Sequence, residues 1–256
     1  RNTGKIYAQI GLDATPCPEN CAFCTLSARN SKATGRAEVP DADIADYARV
    51  FDEAGVHLIS LMATAAYDFD HFLQVVRLVR SVISPNMPIM ANIGDITFEQ
   101  AKLLKDAGVQ VFYHANRLGE GKITGISPAR RMTTIEAVQK AGLALMSAVE
   151  PVYKGVSDDE IADKMFEVIT LRPICAGIGV LTAVPGTAME NAEPISRRRG
   201  MFLASVMRLA AGTSIPNGCG CGNAVWTDAG TNPRGRDLST DPNFLRRDVK
   251  RLRKQL

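Results

Sequence analysis

The sequence predicts an α/β fold: a (β/α) barrel of the TIM type, full or partial, folded as a single domain. Three observations predict it. Short apolar runs alternate with amphipathic stretches along most of the chain, the pattern of a parallel sheet with helical crossovers. The apolar runs carry little polar alternation, as strands do when helices cover both faces of their sheet. The repeat is about 30 residues long. It shows no topological break, and no Gly-x-Gly-x-x-Gly follows a strand and opens a helix, which favours a barrel over a doubly wound sheet.

The elements follow in order. Residues 5–12 (KIYAQIGL) read as a first strand, and 41–55 (DADIADYARVFDEAG) as a helix with an Asp-rich start and Gly55 just past its end. Residues 57–65 (HLISLMATA) are a strand. Residues 69–83 (FDHFLQVVRLVRSVI) repeat apolar positions at i, i+3, i+4 and i+7, as a half-buried helix does. A strand over 87–94 (MPIMANIG) leads to a helix over 97–108, capped by Thr97 and stopped at Gly108. A strand over 109–116 (VQVFYHAN) leads to a helix over 127–142, with Ser127 as its cap and Pro128 in its first position. The strand 143–151 (LALMSAVEP) precedes a helix over 157–171, and the strand 176–184 (AGIGVLTAV) precedes a helix over 196–212. Residues 223–230 (NAVWTDAG) suggest one more strand.

The 256 residues suffice for a large core. Their net charge of +3 is too small to argue for a nucleic-acid partner. The basic tail 246–256 (RRDVKRLRKQL) reads as a solvated helix face. No apolar run approaches the ~20 residues that span a bilayer, and no signal peptide is visible. The six cysteines (17, 21, 24, 175, 219 and 221) are clustered in a way that suits metal binding better than cross-linking, so the expected setting is reducing and cytoplasmic.

The sharpest feature is CPENCAFC, which spaces Cys17, Cys21 and Cys24 as C-x3-C-x2-C directly after the first strand. In barrels, sites sit on the loops that follow strands. Thiolates select zinc or iron–sulfur clusters. Structural zinc takes four protein ligands, and here no fourth Cys or His is near. A cubane held by three cysteines leaves one iron open to a cofactor or substrate. The alternatives are a zinc knuckle completed by a distant cysteine, as in a metal-storing or scaffold protein, and three unrelated thiols.

This motif resembles the signature of radical S-adenosylmethionine enzymes. Other segments resemble biotin synthases in the same order along the chain: residues 17–35, 91–116, 127–143 and the loop LTAVPGTAMEN at 181–191. The resemblance implies that Cys17, Cys21 and Cys24 hold a 4Fe–4S cluster that binds S-adenosyl-L-methionine and cleaves it to a 5'-deoxyadenosyl radical. It places Phe23 against adenine, although ordinary core packing also accounts for that residue. It matches Arg131 to an arginine that pairs with the cofactor carboxylate, for which a guanidinium fork is suited; a helix-surface arginine is the alternative. Asn116, Asn92 and Asp95 fall near positions that hold ribose or substrate, and Glu150 near the cofactor. His114 is expected to support the site from behind, and Cys175 to lie in the core.

The departures narrow the branch. The strands that carry extra cysteines in well-known biotin synthases carry none here. Instead GCGCG at 218–222 presents Cys219 and Cys221 between glycines that let the backbone bend closely around a metal; a loop with two unliganded thiols is the alternative. With residues 225–237, this segment resembles the second type of biotin synthase, which implies an auxiliary iron–sulfur cluster held in part by Cys219 and Cys221. Residues 1–256 are then one barrel domain, with 217–256 as auxiliary segment and tail. The implied reaction is sulfur insertion into dethiobiotin, with flavodoxin or ferredoxin as electron donor, no membrane or nucleic-acid partner, and a homodimer allowed. The alternative activities are lipoyl-type sulfur insertion and methylation or rearrangement in a cofactor pathway.

Overall fold

A computed structural model describes residues 5–30, 35, 37–215, 219–221, 229–231, 246, 247 and 250. Strands and helices alternate through it: β1 (Tyr7–Gly11), α1 (Asp41–Glu53), β2 (Leu58–Met62), α2 (Phe69–Val82), β3 (Ile89–Asn92), α3 (Phe98–Asp106), β4 (Val111–Tyr113), α4 (Pro128–Lys140), β5 (Ala144–Val152), α5 (Asp158–Thr170), β6 (Cys175–Val180), α6 (Arg197–Ala211), β7 (Cys219–Cys221) and β8 (Ala229–Thr231). The fold class is the one the alternation predicts, a partial (β/α) barrel of the TIM type with parallel strands. No helix among the described residues is long and apolar enough to cross a membrane.

The residues gather into two compact units, with β4 divided between them. In the first, β8, β1, β2, β3 and the start of β4 pair in that order, all parallel. The register sets Ile10 opposite Leu61 and Leu61 opposite Ala91. Every residue of β2 is buried, because α1 and α2 give Phe51, Phe72 and Val76 to its core. At a rough 25 cal/mol per Å2 of apolar surface, one such side chain is worth about 2 kcal/mol.

The second unit pairs β5, β6 and β7 in parallel. Its core joins Val149, Ile161, Met165, Ile178, Leu203 and Met207. The helix starts were legible because the caps are local chemistry. Thr97 and Gln100 form a capping box on α3, Ser157 and Glu160 another on α5, and Ser127 accepts from the Arg130 amide ahead of Pro128 on α4. Gly108 takes φ +103° at the end of α3, a conformation that a side chain would strain.

One element differs from expectation. The Cys-Gly-Cys, to which the sequence assigned no strand, is strand β7, with Ala176, Gly177 and Ile178 of β6 opposite Cys219, Gly220 and Cys221. Its three residues, flanked by glycine, carry too little periodicity to announce a strand. The expected strand over 223–230 is met only at β8, its other residues lying outside the described ones.

Candidate cofactor site

Cys17, Cys21 and Cys24 lie on the loop after β1, half-buried, with none of them in a disulfide. Cys17 belongs to the first unit and the other two to the second. Among the described residues, no three His, Cys, Asp or Glu side chains are gathered so as to hold a metal ion. What the structure does fix is the loop backbone. The Asn30 amide nitrogen Nδ2 lies 2.8 Å from the Cys24 carbonyl oxygen and 3.3 Å from those of Cys21 and Ala22. With two hydrogens for three acceptors, the Cys24 bond is the closest. Asn30 Oδ1 in turn accepts from the Ala188 amide at 3.3 Å, in the loop after β6. Asn20 adopts φ +52°, which asparagine tolerates better than most residues, and its Oδ1 accepts from the Arg29 amide.

The loop is also joined to the segment before α4. The Ala22 amide donates to the Ile123 carbonyl and the Gly125 amide to the Glu19 carbonyl, both at 2.8 Å, and Arg130 grips the Glu19 carboxylate with both terminal nitrogens. A Cβ on Gly125 would stand 2.8 Å from the Glu19 carbonyl oxygen, a backbone atom that cannot swing away. Gly125→Ala is therefore expected to cost about 1–3 kcal/mol. Urea unfolding measures it, and an unchanged midpoint would show that the loop yields at no cost.

In the second unit, Phe23 faces an arginine that the sequence reading passed over. The Arg117 guanidinium carbon lies 5.9 Å from the Phe23 ring centre, within cation–π reach. Its Nε is 3.3 Å from Glu150 Oε1. Burial alone lowers the Arg117 pKa, but Glu150, Tyr113, Glu120 and Cys21 raise it, and the net shift is upward, so the group stays charged. Glu150 has room because β6 offers glycine there: a Cβ on Gly179 would come within 2.6 Å of Glu150 Cβ.

Arg131 is differently occupied. It is 6% exposed, with its Nε 3.3 Å from Glu120 Oε2 and its Nη1 3.4 Å from His114 Nε2. Glu120 binds three groups: Oε2 also accepts from the Arg117 amide at 2.9 Å, and Oε1 accepts from the Thr124 hydroxyl at 2.6 Å. His114 is buried and lies against Arg131. Glu120 was missed because its partners come from its own loop and from the next helix, and no spacing rule links them.

Asn92 ends β3 in the first unit, half-buried, its carbonyl accepting from the Ala63 amide. Asp95, in the same unit, follows it. Asn116, 7% exposed, donates its Nδ2 to both oxygens of Glu167 at 3.0 and 3.2 Å, while its Oδ1 is buried without a hydrogen-bond partner among the described residues. Asp13, 1% exposed at the end of β1, accepts from the Thr64 amide and hydroxyl at 2.8 and 2.7 Å and from the Thr15 amide. This tie steers the chain into the cysteine loop. The backbone of Cys219 and Cys221 is in β7, and their side chains lie outside the described residues. Cys175 is buried at the start of β6, as expected.

A thiol-bearing loop after the first strand of a partial barrel defines a class of enzyme, and the family comparison agrees. Residues 15–168 match the Radical SAM superfamily, and the chain belongs to it. Membership implies a 4Fe–4S cluster and S-adenosylmethionine as cofactors. Within the superfamily the chain is biotin synthase-like. A biotin synthase of Chlamydia pneumoniae is 28% identical over 225 residues, which cover 80% of this chain and 67% of that protein. Two solved structures share the fold. Methylornithine synthase has a TM-score of 0.68 at 18% identity, covering 97% of this chain and 82% of that one. The hydrogenase maturase HydG has a TM-score of 0.66 at 15% identity; 80% of this chain matches it, spanning about half (49%) of HydG.

Proposed function

We propose that this chain inserts sulfur into dethiobiotin to give biotin, the sulfur coming from an auxiliary iron–sulfur cluster that Cys219 and Cys221 help to hold. The observation that carries this reading is the likeness to biotin synthases over four fifths of the chain. Cys17, Cys21 and Cys24 would hold the first cluster. The donor set fits by its chemistry, being three half-buried thiols, none in a disulfide, on a loop whose backbone is otherwise hydrogen-bonded. When bound, that cluster supplies the electron that cleaves S-adenosylmethionine to a radical able to take hydrogen from an unactivated carbon.

The chain's residues orient and enclose. Phe23 offers an apolar ring to adenine. Asn92, Asn116 and Glu150 would offer polar groups at or near strand ends, and Arg131 is held between Glu120 and His114. The buried, unpartnered Oδ1 of Asn116 suits a ligand hydroxyl or N–H. Dethiobiotin is the small-molecule substrate in this reading, flavodoxin or ferredoxin the reductant, and residues 217–256 the auxiliary segment.

A second reading keeps the radical chemistry and changes the outcome to lipoyl-type sulfur insertion, methylation or rearrangement. It is favoured by β2, β3 and β5, which carry no cysteine. Iron and sulfide counted after anaerobic purification decide between the two. The first reading expects about eight irons per chain, falling to about four in Cys219→Ala/Cys221→Ala. About four in both proteins would leave no built-in sulfur source and favour methylation or rearrangement.

A further inference from the structure

We infer that the hydroxyls of Thr25 and Ser27 donate hydrogen bonds to sulfur atoms of the cluster that the cysteine loop takes up, and that they raise its reduction potential. The inference deepens the proposed function and rests on its first cluster, whichever reaction follows. Thr25 comes directly after Cys24, and Ser27 closes a turn there, its amide donating to the Cys24 carbonyl at 3.3 Å. Ser27 is 1% exposed. Thr25 Oγ1 and Ser27 Oγ are both buried atoms with no hydrogen-bond partner among the described residues. Folded proteins rarely keep a buried hydroxyl in that state unless a ligand, ion or water comes to meet it.

The carbonyls of this turn are already taken. Asn30 Nδ2 meets those of Cys21, Ala22 and Cys24, and the Cys24 carbonyl also accepts from the Ser27 amide. Asn30 Oδ1 accepts from the Ala188 amide, so both ends of its carboxamide are anchored. Asn30 thus holds the turn with its carbonyl side filled, and two hydroxyls are left over beside Cys24. Valine and alanine would occupy the same positions without leaving a polar group unmet. The acceptor that the loop lacks is one that arrives with the iron, since thiolate and sulfide sulfurs carry negative charge and accept from O–H groups. Reduction adds negative charge to those sulfurs. A donor aimed at them therefore stabilises the reduced cluster more than the oxidised one, and the potential rises. Asn30 is a positioning residue in this arrangement, acting through the turn it clamps.

The test is a redox titration of the anaerobically purified protein without S-adenosylmethionine, read by electron paramagnetic resonance of the reduced cluster. The signal that Cys21→Ala removes belongs to the cluster on this loop. Thr25→Val/Ser27→Ala takes away both hydroxyls with little change of shape. At a fixed applied potential its ratio of reduced to oxidised cluster is expected to fall roughly tenfold, a shift of about 59 mV for one electron. Thr25→Ser keeps both hydroxyls and should titrate with the unaltered protein. Iron content and melting temperature show whether each variant is intact. Should the double variant lose its iron, Thr25→Val alone decides, with a smaller fall in the same direction. A variant that keeps its iron and titrates like the unaltered protein would overturn the inference, assign the hydroxyls to bound water and leave the proposed function standing. A signal and iron content that survive Cys21→Ala would overturn both.

Discussion

Replacing Cys21 or Cys24 by alanine is expected to strip about four irons from each chain, with the matching visible absorbance. Conversion of S-adenosylmethionine to 5'-deoxyadenosine should fall below detection with it. The fold should survive, because the loop is held by groups the substitution leaves in place. The Asn30 amide binds backbone carbonyls, and so do the amides of Ala22 and Gly125. Cys175→Ala is the control: that thiol is 5% exposed in β6, and its loss should leave the iron content unchanged. Iron assay and circular dichroism on the same samples make the test. Cys21→Ala protein with a full complement of iron would remove Cys21 from the ligand set.

The second large effect is on stability. Glu120→Ala is expected to cost about 3–5 kcal/mol, because it removes the buried carboxylate that the buried Arg131 guanidinium meets. Glu120 also receives the Arg117 amide and the Thr124 hydroxyl, so the loop between β4 and α4 loses its organising acceptor. Against a typical total of about 5–15 kcal/mol, the loss approaches what a folded chain can bear. Glu120→Gln keeps the shape and the neutral acceptor and should cost less. Chemical denaturation of both variants gives the comparison, and equal costs would show that charge rather than shape holds the loop.

Much of the fold was legible because it is written locally. Thr97 with Gln100, Ser157 with Glu160, and Ser127 before Pro128 each satisfy helix-end amides within four residues, and a reader of sequence sees all the partners at once. The cysteine motif was legible for the same reason, as a compact spacing after an apolar strand. Strand β7 was not, since a Cys-Gly-Cys gains its extended form from pairing with Ala176–Ile178, which lie far back along the chain.

The arginines show the limit most clearly. Arg131 sits on a helix at a position that resembles a cofactor contact, and Arg117 sits in a loop with no pattern around it. What each of them meets depends on where Glu120 and Glu150 come to rest. Glu150 reaches its place only because β6 carries a glycine at position 179. Spacing names the candidates, and the carboxylates that the fold brings together assign their tasks.

The grip of Asn30 on the carbonyls of Cys21, Ala22 and Cys24 also bears on the order of events in the life of the molecule. Small metal-dependent domains stay unfolded until their ion arrives, so metal binding and folding are one step. Here an amide side chain holds the receiving loop through its backbone carbonyls. Folding can therefore finish first, and iron can be loaded, lost and restored on a protein that is already built.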